Sequence, residues 1–286
     1  MRQRKYHKSS TEKVKYIKHT IAENSNGNIV EFLNDKFAKF NGFCISGLHA
    51  CADLTIDAMN LFLKLTDAKA LVVMPCCYHK MALRGDRFKN IPLSDRLKPI
   101  FEKYDGSKFM KIPFLRLAAQ PPCLPEDNLQ DSVFNLMARA TLQLYAQRRN
   151  CKLKRNKRKA VKTKALNNDF ETYIVNACSG FTLQLENESP ELTNTVEPYK
   201  VEACAVNKSL AFDLDELRSI WRQTTDLTVK AAIFILIQCR LQPAIENFIL
   251  YDRLLLLTEN GVKNCSFKKI FNEKLSPRCL ALIAVK

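Results

Sequence analysis

The chain has 286 residues, 47% of them hydrophobic, which is enough for one large packed domain or two small ones. The longest purely apolar run in its C-terminal part, Ala231–Ile237, is far short of the roughly 18 residues a membrane span needs. No transmembrane segment is expected on that ground, and the basic start MRQRKYHKSS is not followed by the apolar stretch of a secretory signal.

Eleven cysteines, an odd number and most of them sitting singly in apolar stretches, fit reduced thiols in an intracellular protein, cytoplasmic or nuclear, better than a disulfide framework. The net charge of +16 is concentrated. Residues 1–19 carry seven Lys/Arg and one acid, and residues 148–164 carry ten Lys/Arg and no acid. Without these segments 28 basic residues (45 less 17) face 28 acidic ones (29 less 1). Such a local excess favours a polyanion, either nucleic acid, with RNA through 148–164 as the candidate partner, or an anionic membrane surface; a solvated linker or a nuclear-import signal is the other reading. Nothing in the sequence sets an oligomeric state.

In chain order, residues 1–28 read as a basic polar tail. NIVEFLNDKFAKF (28–40) has helical spacing, and GFCISGLH (42–49) reads as a buried strand and its exit. DLTIDAMNLFLKL (53–65) is a helix with Asp53 and Thr55 as candidate caps, and KALVVMPCC (69–77) is a second strand. Strand, helix, strand in this compass is the βαβ unit of a parallel sheet. Helical pattern returns at 131–150, 168–178, 214–223 and 226–240, with an acidic loop at 185–200. The segment PAIENFILYDRLLLLTENG (243–261) predicts a helix starting at Pro243 and ending at Gly261. Runs at 262–271 and 278–286 predict an antiparallel hairpin on the same sheet. The expected organisation is therefore a tail at 1–28, an α/β core from 29–80 and 244–286, and a mainly helical insertion at 81–243.

Ligands in open α/β sheets bind beyond the carboxyl ends of the strands. GLHACADL (47–54) and PCCYHK (75–80) lie at two such ends. Side by side, they would bring His49, Asp53, Cys76, Tyr78 and His79 to one crevice. His49, Cys51, Cys76, Cys77 and His79 offer soft metal ligands, but neither His-x-Cys nor Cys-Cys-x-His has zinc-site spacing. Adjacent cysteines in a strand point to opposite faces, so no metal site is expected.

These paired motifs, with ILYDRLLLLTENG and LSPRCLALIAVK near the C-terminus, resemble the methyltransferase-like protein 25 family. More distantly they are similar to a group of tRNA 2′-O-methyltransferases. The resemblance covers 42–116 and 207–286. It implies the back half of a class I, Rossmann-like sheet and S-adenosylmethionine-dependent methyl transfer to RNA or protein. It implies catalytic-side roles for His49, Asp53, Cys76, Tyr78 and His79, and cofactor contacts at Gly47 and Leu48. Two departures matter. No two of the seven glycines are one residue apart, so the family's glycine loop, expected before residue 42, is absent. Ala52 stands where the family has glycine. The chain alone is thus expected to hold the cofactor weakly or not at all. It reads as part of a methyltransferase, as a truncated form of one, or as a pseudoenzyme that binds RNA.

Overall fold

The structure, a computed structural model, describes residues 25–37, 40–121, 128–156, 168–185, 210–273, 275–276 and 278–286, with 15, 18, 19 and 21 singly. Most of the N-terminal tail, the acidic loop beyond Leu185 and the second part of the basic tract, 157–164, lie outside these residues.

In chain order the elements are α1 (Asn26–Lys36), β1 (Phe43–Cys51), α2 (Leu54–Lys64), β2 (Ala68–Cys76), β3 (Leu83–Arg84), β4 (Arg87–Phe88), α3 (Leu97–Lys103) and α4 (Ile112–Ala118). They continue with α5 (Leu129–Arg148), β5 (Cys151–Arg155), α6 (Phe170–Gly180), β6 (Phe181–Leu185), α7 (Leu214–Thr224), α8 (Thr228–Glu259), β7 (Asn264–Lys269) and β8 (Leu280–Val285). The chain forms two compact units, one from 1–123 with 239–286, the other from 124–238.

The first unit holds a four-stranded sheet in the order β1-β2-β8-β7. β1 and β2 are parallel and joined through α2; β8 runs antiparallel to both β2 and β7. The expected βαβ unit and closing hairpin thus share one sheet, an α/β arrangement of Rossmann-like type. The reason is legible in the side chains. α2 buries Thr55, Ile56, Ala58, Met59, Leu61 and Phe62, a three-and-four spacing that lays one face on the sheet. Burying a side chain such as Met59 or Phe62 contributes about 1.5–3 kcal/mol. β2 is buried over most of its length because it has a strand on each side. Met59, Phe62, Leu71, Val73, Leu257, Leu282 and Ala284 make one core.

A second core joins Ile56, Tyr78, Met81, Ile91, Leu115 and Ala118 to Ile245, Ile249 and Leu250 of α8. It carries the segment 81–123, expected to open the insertion, into the first unit instead. Carboxylates fasten that segment. Asp252 accepts from the amides of Leu93 and Ser94 at 2.7 and 2.8 Å and from the Ser94 hydroxyl at 2.8 Å. Glu259 accepts from the amides of Asp95 and Arg96. The unit boundaries therefore fall at 123/124 and 238/239, rather than at 80/81 and 243/244.

α8 corrects a second expectation. It runs from Thr228 to Glu259 with Pro243 inside it, so Pro243 does not begin a helix. An internal proline costs about 3 kcal/mol. The apolar burial of Ile245, Ile249, Leu250, Leu255 and Leu257 offsets it. Gly261 does close the run, with φ of 84°. The helical stretch Leu214–Glu259 is, by length and composition alone, apolar enough to cross a membrane. Counting only uninterrupted apolar residues misses this, because Gln238, Arg240 and Gln242 break the run while the most apolar 18 residues keep a mean hydropathy of 1.3.

The second unit packs Phe134, Leu142, Tyr145, Tyr173, Ile174, Leu217 and Ile220. Asp169 and Asp213 cap α6 and α7, each accepting from two backbone amides of the first turn. Phe170 stacks on Trp221 with centroids 4.3 Å apart. Within the basic tract Cys151–Arg155 is a strand, antiparallel to Phe181–Leu185. Its alternation buries Cys151 and half-buries Leu153, and it turns Lys152 and Lys154 outward.

Candidate functional site

β1 does not end at Gly47. Gly47 pairs with Val73 and Ala50 with Pro75, so Leu48 and His49 stand opposite Met74 alone. This one-residue bulge pushes both outward; Leu48 is 57% exposed and His49 is exposed. The strand re-pairs at Cys51 opposite Cys76. Ala52 then turns the chain with φ of 54°, its amide donating to the Cys76 carbonyl at 2.9 Å. The left-handed region here is one that glycine adopts freely and alanine does not.

Asp53 sits at the start of α2 but makes no side-chain cap bond to it. Its carboxylate reaches the next loop instead, accepting from the Ala82 amide at 2.6 Å and from Asn90 Nδ2 at 2.8 Å. Thr55 likewise donates to the Ala50 carbonyl at 2.5 Å, tying strand end to helix start. Asp53 is thus a fastening between two loops.

The second loop starts at Cys77, also left-handed with φ of 53° and ψ of 41°. Tyr78 is buried, and its hydroxyl donates to Glu246 Oε1 on α8 at 2.9 Å. Burial, then the neighbouring Glu246 charge, pushes the phenol well above its ordinary range; Arg253 and Arg278 pull the other way. Glu246 also accepts from Gln242 Nε2 at 2.8 Å and from Arg278 Nη1. Arg278 continues to the carbonyls of Ala118 and Gln120 at 3.1 and 2.7 Å. Beneath this network lies a cavity of about 150 Å³, lined in part by Pro75, Tyr78, Glu246, Lys269, Glu273 and Arg278. Arg253, fully buried, lies over the Tyr78 ring at 5.2 Å from its centroid and donates to the Ile249 carbonyl at 3.3 Å.

His79 is half-buried, with Nδ1 shielded and no hydrogen-bond partner among the described residues. Burial first, then the charges of Arg116 and Lys80, lowers its pKa. Cys76 is buried and its sulfur lies 3.0 Å from that of Cys51; burial, then the bond to Cys51, raises its thiol pKa. The sulfurs of Cys51, Cys76 and Cys77 all lie within 4.8 Å of one another. The expectation that Cys76 and Cys77 must diverge fails because Cys77 has left the extended conformation on which alternation depends.

The five expected catalytic-side residues therefore come from the last residues of two neighbouring parallel strands and the turns that follow them, with different surroundings. Tyr78 lines the cavity against α8, Asp53 is committed to loop amides, and His49 is exposed on the bulge. Sequence reasoning missed Glu246 as the hub and Arg278 as its partner. The spacing of Gln242, Glu246, Ile249 and Arg253, one face of a helix, was the available signal.

Residues 1–84, which take in β1, α2, β2 and the Cys77–Lys80 turn, match a family model described as a methyltransferase domain. No curated protein and no solved structure matches the chain. The match and the Rossmann-like sheet together support a methyltransferase. Domains of this kind generally use S-adenosylmethionine. A Cβ added at Gly47 would meet Val73 Cγ1 at 3.6 Å and Ala50 Cβ at 3.7 Å, ordinary contacts, so no backbone is bared there for close approach. Leu48 projects from the bulge.

Proposed function

We propose that the chain is the acceptor-side part of an S-adenosylmethionine-dependent methyltransferase of the methyltransferase-like protein 25 type, with RNA as the acceptor. The observation that carries the reading is the β1-β2-β8-β7 sheet, which sets the two resembling motifs on neighbouring loops within a segment that matches a methyltransferase domain. The outward Lys152 and Lys154 of β5, with exposed Arg148 and Arg155, supply the charge that phosphates need.

Methyl transfer is an in-line displacement that asks for positioning and desolvation. Exposed His49 and half-buried His79 are the groups left to meet an acceptor, since the Asp53 and Tyr78 side chains already have partners. Cofactor binding needs a glycine loop that this sequence does not contain, and the outer edge of β1, unpaired among the described residues, is where further strands would add. The same facts favour one second reading, an RNA-binding pseudoenzyme.

Calorimetry with S-adenosylmethionine tests the proposal. The 286-residue chain should show no binding at micromolar strength, about 8 kcal/mol. Micromolar binding would mean a cofactor site built without a glycine loop and would overturn the assignment of this chain to the acceptor side alone. Failure to bind RNA at low salt would sink its acceptor half.

A further inference from the structure

Three sulfurs meet where β1 and β2 end. Cys51 and Cys76 are directly paired across the parallel strands, with sulfurs 3.0 Å apart. Cys77 joins them because its backbone turns left-handed, and every sulfur lies within 4.8 Å of the other two. A non-glycine residue in that conformation costs about 1–2 kcal/mol. Packing three neutral thiols gives no return for such strain, whereas gathering three ligands at one point does.

We propose that Cys51, Cys76 and Cys77 form a three-thiolate site for zinc(II), with a fourth position open to solvent or to an incoming ligand. Tetrahedral zinc with Zn–S of about 2.3 Å sets its sulfurs roughly 3.8 Å apart. The observed separations, 3.0 Å at the closest and 4.8 Å at most, bracket that value, so side-chain rotation suffices. Cys76 is buried while Cys51 and Cys77 are half-buried, which closes one side of the ion and leaves the other accessible. Sites with three protein ligands and an open position are those that activate a bound water or thiol rather than those that merely staple a fold. On binding, each cysteine gives its proton to solvent, and three thiolates bring the ion to a net charge of −1. His79 stands outside the cluster, so nitrogen ligation is not part of the site.

The test uses the full chain, reduced and metal-free, titrated without oxygen with cobalt(II) and then zinc(II). One equivalent of cobalt should produce a thiolate-to-metal charge-transfer band that zinc abolishes. Cys51→Ser and Cys77→Ser, both half-buried and expected to fold, should each weaken zinc binding about 100-fold. Zinc should raise the melting temperature of the native chain and not that of either variant, and Cys44→Ser, an exposed position on β1, should behave as native. The proposal fails if no charge-transfer band appears at one equivalent, or if both variants bind zinc as the native chain does. It fails too if freshly isolated protein carries a Cys51–Cys76 disulfide. No step depends on methyl transfer, so this proposal and the methyltransferase reading can fail separately.

Discussion

Tyr78 and Glu246 are 168 residues apart in the chain, yet the phenol donates to the carboxylate at 2.9 Å. The bond fastens the loop after β2 to the middle of α8. Glu246 also holds Arg278, whose side chain is only 10% exposed, so one carboxylate joins loop, helix and the start of β8.

Tyr78→Phe should therefore lower stability by about 1.5 kcal/mol, the value of a hydrogen bond to a charged group. Glu246→Ala should cost more, about 3 kcal/mol, because it takes the counter-charge from the largely shielded Arg278 as well as the Tyr78 bond. Urea midpoints measure both. Equal midpoints for native and Tyr78→Phe protein would show that the hydroxyl contributes no net stability.

Ala52→Gly should stabilise the chain. Removing the methyl group relieves a left-handed backbone worth about 1–2 kcal/mol, against about 0.4–1 kcal/mol of added freedom in the unfolded chain. The expected net gain is about 0.5–1 kcal/mol, read as a higher thermal midpoint. A lower midpoint would mean that Ala52's methyl packing outweighs the strain.

His79 predicts a pH dependence. Burial, Arg116 and Lys80 hold its folded pKa below the ordinary 6.5, so the unfolded chain binds the extra proton first. Stability is fully present above pH 6.5 and is lost as pH falls through the folded value. His79→Gln should flatten the urea-midpoint profile between about pH 5 and pH 7. An unchanged slope would assign the acid loss to other groups.

β5 predicts a salt dependence. If Lys154 and Arg155, both exposed, each meet a phosphate, changing both to Gln should reduce the log–log salt slope of single-stranded RNA binding by about 1.4, at about 0.7 per contact. Arg149 belongs to the same basic run but donates to Glu216 at 2.8 Å and to Asp213 at 3.1 Å. Arg149→Gln should therefore leave the slope alone and cost stability by at most about 1 kcal/mol.

The sheet was legible because short apolar runs at 42–49 and 69–77, the second rich in β-branched residues, flank a three-and-four-spaced helix, and that change of pattern is a local signal. α5, α6 and α7 were legible for the same reason. The ties among loops were not. Asp53 reads as a helix cap from its position, yet its oxygens go to Ala82 and Asn90, and nothing periodic marks a carboxylate that serves amides thirty residues on. Pro243 reads as a helix start because local preference says so, and tertiary burial of Ile245 and Ile249 overrules it. Cys77 reads as facing away from Cys76 only while the strand is assumed to continue. β5 stayed hidden because its lysines outnumber its inward residues, Cys151 and Leu153, in a tract whose charge dominates the reading.

β8 lies between β2 and β7, with Leu282 opposite Val73 and Phe267 opposite Leu282 on its other side. During synthesis on the ribosome, then, β1, α2 and β2 emerge early and must wait with one flank of β2 uncovered until 280–285 arrive. The second unit, made wholly from 124–238, can finish folding in that interval. The first unit is thus the one exposed to chaperone capture and to mispairing at the waiting flank. A stop or frameshift anywhere before Leu280 would release a chain in which that flank is never covered.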